Sequence, residues 1–324
     1  MNILLDTVAI LLILITLAPS LPSSHWLVRV WEFPRLQILC IMLITLTASL
    51  LIGEAEGLGF NIQSLLLLVL VGCAIYQAFW IYPYTPLASK EVERAESPDQ
   101  DNKISILSSN VFMPNENYHK LLSHVKDTQP DFLVTLESNK RWQNALAELN
   151  SDYPYQKHCP LENLYGMNLY SKVPLDTVEL HYFVEDDVPS FKVTFTKNNS
   201  TVTIFFLHPK PPSPTENKRA KPRDIELDLV GNMVCDYEEP VIVAGDLNDV
   251  AWSPTTRKFR KVSGLLDPRI GRGFYNTFHA HYPLIKWPLD HLFHSSHFSL
   301  VDIRKLGDIG SDHYPLLTTL QLKG

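Results

Sequence analysis

Apolar residues follow two patterns along this chain, and the change comes near residue 90. Three almost unbroken apolar runs come first: Ile3 to Ala18, Leu36 to Ile52 and Leu65 to Ile81. Each approaches the roughly 17–20 residues a helix needs to cross a hydrocarbon layer. Trp26, Trp31, Trp80, Tyr82 and Tyr84 sit at the ends of these runs, where interfacial aromatics are placed. The first run carries Asp6 but lacks a basic leader and a small-residue cleavage site, so it reads as an uncleaved helix. A buried helical hairpin is the competing assignment. Three successive runs with almost no charge disfavour it.

Beyond residue 86 the pattern breaks. Ser89 to Asn102 is polar, acidic and without periodicity, and residues 87–102 read as a linker. KISILSSN then alternates as a strand ending in Asn110. Tyr118, Leu121, Leu122 and Val125 follow at helical spacing. Pro130 stops that helix, and DFLVTLE gives a second strand ending in Glu137, so a βαβ-like unit is marked by polar residues at its strand ends. Further strands are expected at Tyr165 to Ser171, at Phe191 to Thr196 and Thr201 to Leu207 around an Asn198-Asn199 turn, and within WPLDHLF and DHYPLLTTLQL. Ile225, Leu229 and Met233 mark a helix. Ser253 and Pro254 open another as N-cap and first residue. Between these two helices lies PVIVAGDLND, a buried-type strand in which Gly245 is expected to let the backbone turn. Asp246 and Asn248 would then share a face at the carboxyl edge of a sheet, leaving Asp249 to shape the turn.

Charge sharpens this division. The chain has 324 residues, 28 basic and 35 acidic, for a net charge of −7 that argues against a general nucleic-acid coat. Before Lys90 the charged residues are Asp6, Arg29, Glu32, Arg35, Glu54 and Glu56. Arg29 and Arg35 lie between runs one and two, and Lys90 and Arg94 follow run three. The loop Gly53 to Asn61 has no basic residue. This bias places the N-terminus outside and the C-terminal part in the cytoplasm. Cys159 and Cys235 alone lie outside the runs, too few for a disulfide framework.

The polar residues that open or close strands are Asn110, Glu137, His208, Asp246, Asn248, Asp290, Asp312 and His313. There is no P-loop, GxSxG elbow, HExxH or CxxC pair. Hard oxygen ligands of this kind suit Mg²⁺ or Mn²⁺ with a phosphate substrate, and histidine beside carboxylate suits proton transfer. His279, His281, His291, His294 and His297 offer a zinc-like cluster, but their spacing crosses a turn and a strand and no cysteine joins them. The basic loop from Lys210 to Arg223 is a candidate polyanion contact or a solvated loop. Within it Arg223 is the best candidate for a phosphate contact. Lys172 reads as a turn residue.

The ordered pieces SSN, TLES, LHP, GDLND, PLDHLF and GSDHYP resemble the DNase I-like endonuclease/exonuclease/phosphatase superfamily, from Lys103 to about Leu322. With three apolar runs in front, the chain resembles bacterial membrane-anchored members. The resemblance implies a four-layer α/β sandwich: two mixed β-sheets face to face with helices outside, over residues 103–324, behind a membrane region at residues 1–86. It implies an integral protein of the bacterial inner membrane that hydrolyses a phosphodiester or phosphomonoester with Mg²⁺, Mn²⁺ being possible. Glu137 would be the principal metal carboxylate, with Asn110 and Asp312 supporting the metal. Asp246 would orient or deprotonate the attacking water, and Asn248 and His208 would contact phosphate. Asp290 would pair with His313, whose role as base or phosphate donor stays open. Ser109 stands where many members have Trp, and TLES replaces the commoner Leu-Gln-Glu. Phe112 stands where abasic-site nucleases carry an acidic residue, which weakens that activity specifically. Nucleic acid, a lipid headgroup or a soluble ester remain as substrates. A catalytically silent membrane scaffold is the rival, and it predicts missing site residues. No protein partner is indicated.

Overall fold

The structure, a computed structural model, describes residues 3–56, 62–97 and 99–323. Residues 57–61, part of the loop Gly53 to Asn61 that has no basic residue, lie outside the described residues. The first run forms α1 (Ile3–Leu17), the second α3 (Arg35–Glu56) and the third α4 (Ile62–Ile81). A short α2 (Trp26–Arg29) lies between α1 and α3. All three long helices are long and apolar enough to cross a membrane. They pack through Ala9, Leu12, Ile38, Met42, Leu70, Cys73 and Ala74, while Leu14, Ile44, Leu68 and Ile75 stay exposed on the outside. Such an apolar exterior is what lipid, not water, would cover.

The remaining elements alternate: β1 (Lys103–Asn110), α5 (Tyr118–Thr128), β2 (Phe132–Leu136), α6 (Lys140–Ala145), β3 (Tyr155–Cys159), β4 (Met167–Ser171), β5 (Thr177–His181), β6 (Ser190–Lys197), β7 (Ser200–Leu207), α7 (Lys221–Val234), β8 (Val241–Asp246), α8 (Pro254–Ser263), β9 (Asp290–His294), β10 (Phe298–Lys305) and β11 (Leu316–Leu322). They make a six-stranded sheet, β10-β11-β1-β2-β4-β3, and a five-stranded sheet, β5-β6-β7-β8-β9. Both are mixed, with β1 parallel to β2 and β7 parallel to β8 among antiparallel neighbours. Alternate residues explain the layering. Ile106, Val134, Phe206 and Ile242 fill the space between the sheets. Leu107 and Leu133 turn outward onto Leu121, Leu122 and Val125 of α5. Phe205 and Val243 turn outward onto Leu227 and Val230 of α7 and Phe259 of α8. The four-layer sandwich follows.

Two expectations change here. Helix α7 forms, but Ile225, Leu229 and Met233 lie on its exposed face. Leu227, Val230 and Gly231 are the buried ones, because a Cβ at Gly231 would already sit 3.3 Å from the Phe259 ring. Within the expected linker, residues 92–95 run along the sheet edge: Leu300 donates to Glu93 O and accepts from Ala95 N, and Val92 is buried.

Candidate active site

The strand ends of both sheets meet at one polar floor. Asn110 closes β1 in one sheet and donates through Nδ2 to Glu137 Oε1 at 2.8 Å and to Asp246 Oδ2, in the other sheet, at 3.1 Å. Glu137 follows β2 with φ of 56°, an unfavourable backbone for a bulky residue and one held by its surroundings. Val111 N on one side binds Leu136 O and Ser138 N on the other binds Gly166 O. This clamps the turn and sends the Glu137 side chain toward β1. Burial pushes the Glu137 carboxyl up to about 8, opposed by the Asn110 hydrogen bond.

Asp246 is the hub. Its Oδ1 accepts from Asn248 N at 2.8 Å, and its Oδ2 lies 3.5 Å from His313 Nε2 and 3.8 Å from His208 Nε2. Asp290 stands opposite Asp246 in the β8–β9 register and holds His313 Nδ1 at 2.7 Å. Two buried acids on adjacent strands need a cation between them, and His313 supplies it. Burial would lower the imidazole, but Asp290 and Asp246 raise His313 to about 10. Burial raises Asp246 to about 7, while burial of Asp290 is outweighed by the His313 charge and hydrogen bond, so Asp290 stays below the usual range. His208 is lowered to about 3, first by burial and then by the His313 charge, so it is neutral. Buried His208 Nδ1 and Asp290 Oδ1 have no hydrogen-bond partner.

Asn110, Glu137, His208, Asp246, Asn248, Asp290, Asp312 and His313 thus cluster here, and Glu137, Asp312, His313, His208 and Asn248 line one cavity of about 410 Å³. Arg223 does not line it, which corrects its expected phosphate contact. Its guanidinium is buried and occupied: Nη1 donates to Asn248 O at 2.9 Å, Nη2 to Asp224 Oδ1 at 2.8 Å, and Nη2 lies 3.4 Å from Asp249 Oδ2. Arg223 holds the Asn248 loop in place. Asp249 also binds Ser253 Oγ at 2.5 Å and Val250 N at 2.9 Å, as a turn-shaping residue should. Asn248 reaches Asp246 by a left-handed turn (φ 51°) rather than by strand alternation. Gly245, at the end of β8, has φ of 139°, and a Cβ there would stand 2.0 Å from Leu207 O, so both its backbone conformation and the close strand approach require glycine. The five histidines do not assemble: His291 contacts Arg269 at 2.7 Å and His294 Ser295 O at 2.8 Å. Lys210 is drawn to Asp187 at 2.9 Å.

The cavity also has an apolar wall that the strand-end motifs do not announce. Trp26, Val30 and Phe33 reach it from the segment between α1 and α3, and Phe278, Trp287 and Leu289 from the loop before β9. The available signal was the aromatic density at the run ends.

Two acidic sets could hold a cation. Asp246, Asp290 and His313 offer atoms within 4.8 Å of one another, but His313 is cationic and already bonded to Asp290, and a metal ligand must be neutral imidazole. Glu137 is the better base of a site. Its carboxylate is repelled by both Asp312 and Asp246, and the Glu137 and Asp312 oxygens are hard donors of the kind that suits a divalent ion, while Asn110 holds Glu137 through its amide Nδ2 and spends its Oδ1 on Phe112 N.

The sequence profile described as the "Endonuclease/Exonuclease/phosphatase family" matches residues 107–313. The chain belongs to the endonuclease/exonuclease/phosphatase family. No curated protein matches it significantly. Among solved structures, D. rerio TDP2 complexed with a single-strand DNA product is 17% identical, with TM-score 0.59, over 69% of this chain and 100% of that one. An endonuclease/exonuclease/phosphatase from Beutenbergia cavernae is 16% identical, with TM-score 0.54, over 69% and 72%. Sphingomyelinase C from Streptomyces griseocarneus is 17% identical, with TM-score 0.51, over 69% and 99%. At these identities the likeness is one of fold. Enzymes of the endonuclease/exonuclease/phosphatase family hydrolyse phosphate esters and use divalent metals.

Proposed function

We propose that this chain is a membrane-anchored, divalent-metal-dependent phosphoesterase whose catalytic domain faces the cytoplasm. The observation that carries the chemistry is the convergence of Asn110, His313 and His208 on Asp246 Oδ2, beside Glu137. Glu137 and Asp312 would hold Mg²⁺ or Mn²⁺, with Asn110 orienting the Glu137 carboxylate; bound there, the ion would supply positive charge beside the phosphoryl oxygens. Asp246, poised near neutrality, takes a proton from the attacking water. His313 is fixed by Asp290 and stays cationic, so it donates to a phosphoryl oxygen instead of acting as base. Asn248 spends one amide hydrogen on Pro209 O at 2.9 Å and has a second for phosphate. His208 is a neutral partner at the same edge. Arg223 acts through Asn248 as a positioning residue.

Arg29, Arg35, Lys90 and Arg94 all lie on the side of the spans that leads to the catalytic domain, which supports the cytoplasmic orientation. A reporter fused after Gly324 and active only on the far side of the membrane would contradict that orientation. For the chemistry, the purified full chain should hydrolyse bis(p-nitrophenyl) phosphate with Mg²⁺ or Mn²⁺. Glu137→Gln and His313→Ala should lose that activity. Equal rates for wild type and both variants would sink the assignment.

A further inference from the structure

The apolar wall has a defined place relative to the spans. Phe33 and Leu36 around the start of α3 and Ile81 and Tyr84 around the end of α4 pack with Val250, Trp252 and Leu289 of the catalytic domain, and Trp26 of α2, in the segment between α1 and α3, lines the pocket. The segment is fastened there. Trp26 N donates to Lys218 O at 3.0 Å and Ala220 N to Ser24 O at 2.7 Å. Trp252 Nε1 donates to Glu32 O at 2.8 Å and Arg29 Nη2 to Thr255 Oγ1 at 2.8 Å. Phe33 meets Trp287 edge to face at 5.3 Å, joining the two halves of the wall. The pocket is therefore complete only with the membrane region in place.

The loop carrying Phe278 and Trp287 also has an apolar tip, with Tyr282, Leu284 and Ile285 exposed and Leu284 at 80%. Gln37, in the first turn of α3, donates through Nε2 to Leu284 O at 2.8 Å. The tip thus stands beside the first turn of α3, one end of a helix long and apolar enough to cross a membrane. Three exposed apolar side chains there are favourable in lipid and unfavourable in water. Among the described residues lining the pocket there is no lysine or arginine, while Glu137, Glu216 and Asp312 are acidic. A polynucleotide needs a cationic track for its backbone besides aromatic faces for its bases.

We propose that the substrate is a lipid phosphate ester taken from the bilayer that anchors the protein, a statement that rests on the phosphoesterase assignment above. Its phosphate sits on the Asp246 floor and the alkyl carbons next to the phosphate lie along Trp26, Phe33, Phe278 and Trp287. The water oxygen bonds to phosphorus and the ester oxygen–phosphorus bond breaks. The ester oxygen leaves as the alcohol with one proton, and the product phosphate keeps the water oxygen.

The test uses the full chain with Mn²⁺ in vesicles of phosphatidylglycerol and phosphatidylethanolamine. Parallel assays take the deacylated forms of both lipids, a single-stranded oligonucleotide and bis(p-nitrophenyl) phosphate. The acyl chains hold the long-chain ester in the same bilayer as the pocket and raise its effective concentration there, so kcat/KM for a long-chain ester should exceed its deacylated form by about tenfold or more. Phe33→Ser and Trp287→Ser should shrink that ratio by about tenfold, mainly through KM. A wild-type ratio near one, or faster cleavage of the oligonucleotide, with bis(p-nitrophenyl) phosphate still hydrolysed, overturns the lipid proposal and leaves the phosphoesterase standing. Failure to hydrolyse any ester overturns both. The wild-type ratio decides even where a variant does not fold.

Discussion

The polar floor of the pocket is built from strand ends and their turns between residues 110 and 313, whereas Trp26, Val30 and Phe33 of its apolar wall come from the segment between α1 and α3. The floor is held by hydrogen bonds among charged groups, with Asp246 and Asp290 flanking His313. The wall is held by backbone bonds to the proline-rich loop before α7, by the Trp252 indole in the loop after β8 and by a ring contact to Trp287 in the loop before β9. The difference teaches where each property resides. On the proposed reading, chemistry belongs to the folded domain, and selection among substrates belongs to its contact with the three apolar helices.

Breaking the floor should have the largest effect. Asp246→Asn or Glu137→Gln is expected to lower kcat on any phosphate ester by about a thousandfold, as loss of a base or a metal carboxylate does. Steady-state rates at saturating Mn²⁺ check this; a tenfold loss or less would show that the floor is not the reacting centre. Next comes the support beneath it. Arg223→Met leaves Asp249 buried without its cation and should destabilise the protein by about 3–5 kcal/mol in urea unfolding.

Metal and pH give a smaller, signed effect. The Glu137 carboxyl is raised from 4.5 to about 8 by burial. The native state therefore holds a proton that the unfolded chain has released, and metal-free stability falls as pH rises through that window. Mn²⁺ should raise Tm most at the alkaline side. In Glu137→Gln both the slope and the Mn²⁺ gain should diminish, as scanning calorimetry at stepped pH would record. The smallest effect is expected outside both regions. His281→Ala, in the histidine group that does not assemble, should shift stability by less than about 0.5 kcal/mol and leave the rate on bis(p-nitrophenyl) phosphate unchanged.

The floor was legible because strand ends are periodic. Asn110, Glu137 and Asp246 each follow an alternating or fully apolar run, so their positions could be counted. Turn geometry was less so. Asn248 and Asp246 converge through a left-handed residue, and Gly245 is required by the Leu207 carbonyl of a neighbouring strand, which no local pattern reports. Arg223 misled for a similar reason. A cation after a proline-rich loop looks solvent-facing until the β8 turn folds over it with Asp249 and Asn248 O. On α7 the apolar residues Ile225, Leu229 and Met233 are spaced four apart, yet the Gly231 notch for Phe259 decides which face is buried. The wall was the hardest to see, since Trp26 and Phe33 lie far in sequence from the residues they join.

The most direct test of the central claim follows the oxygen. Turnover of a phosphate ester by the full chain with Mn²⁺ in heavy-oxygen water should place the label on phosphorus, seen as an isotope shift in phosphorus NMR. Asp246→Asn should remove the labelled product. Label in the released alcohol, or undiminished labelling of phosphate by Asp246→Asn, would contradict water attack on phosphorus at this floor.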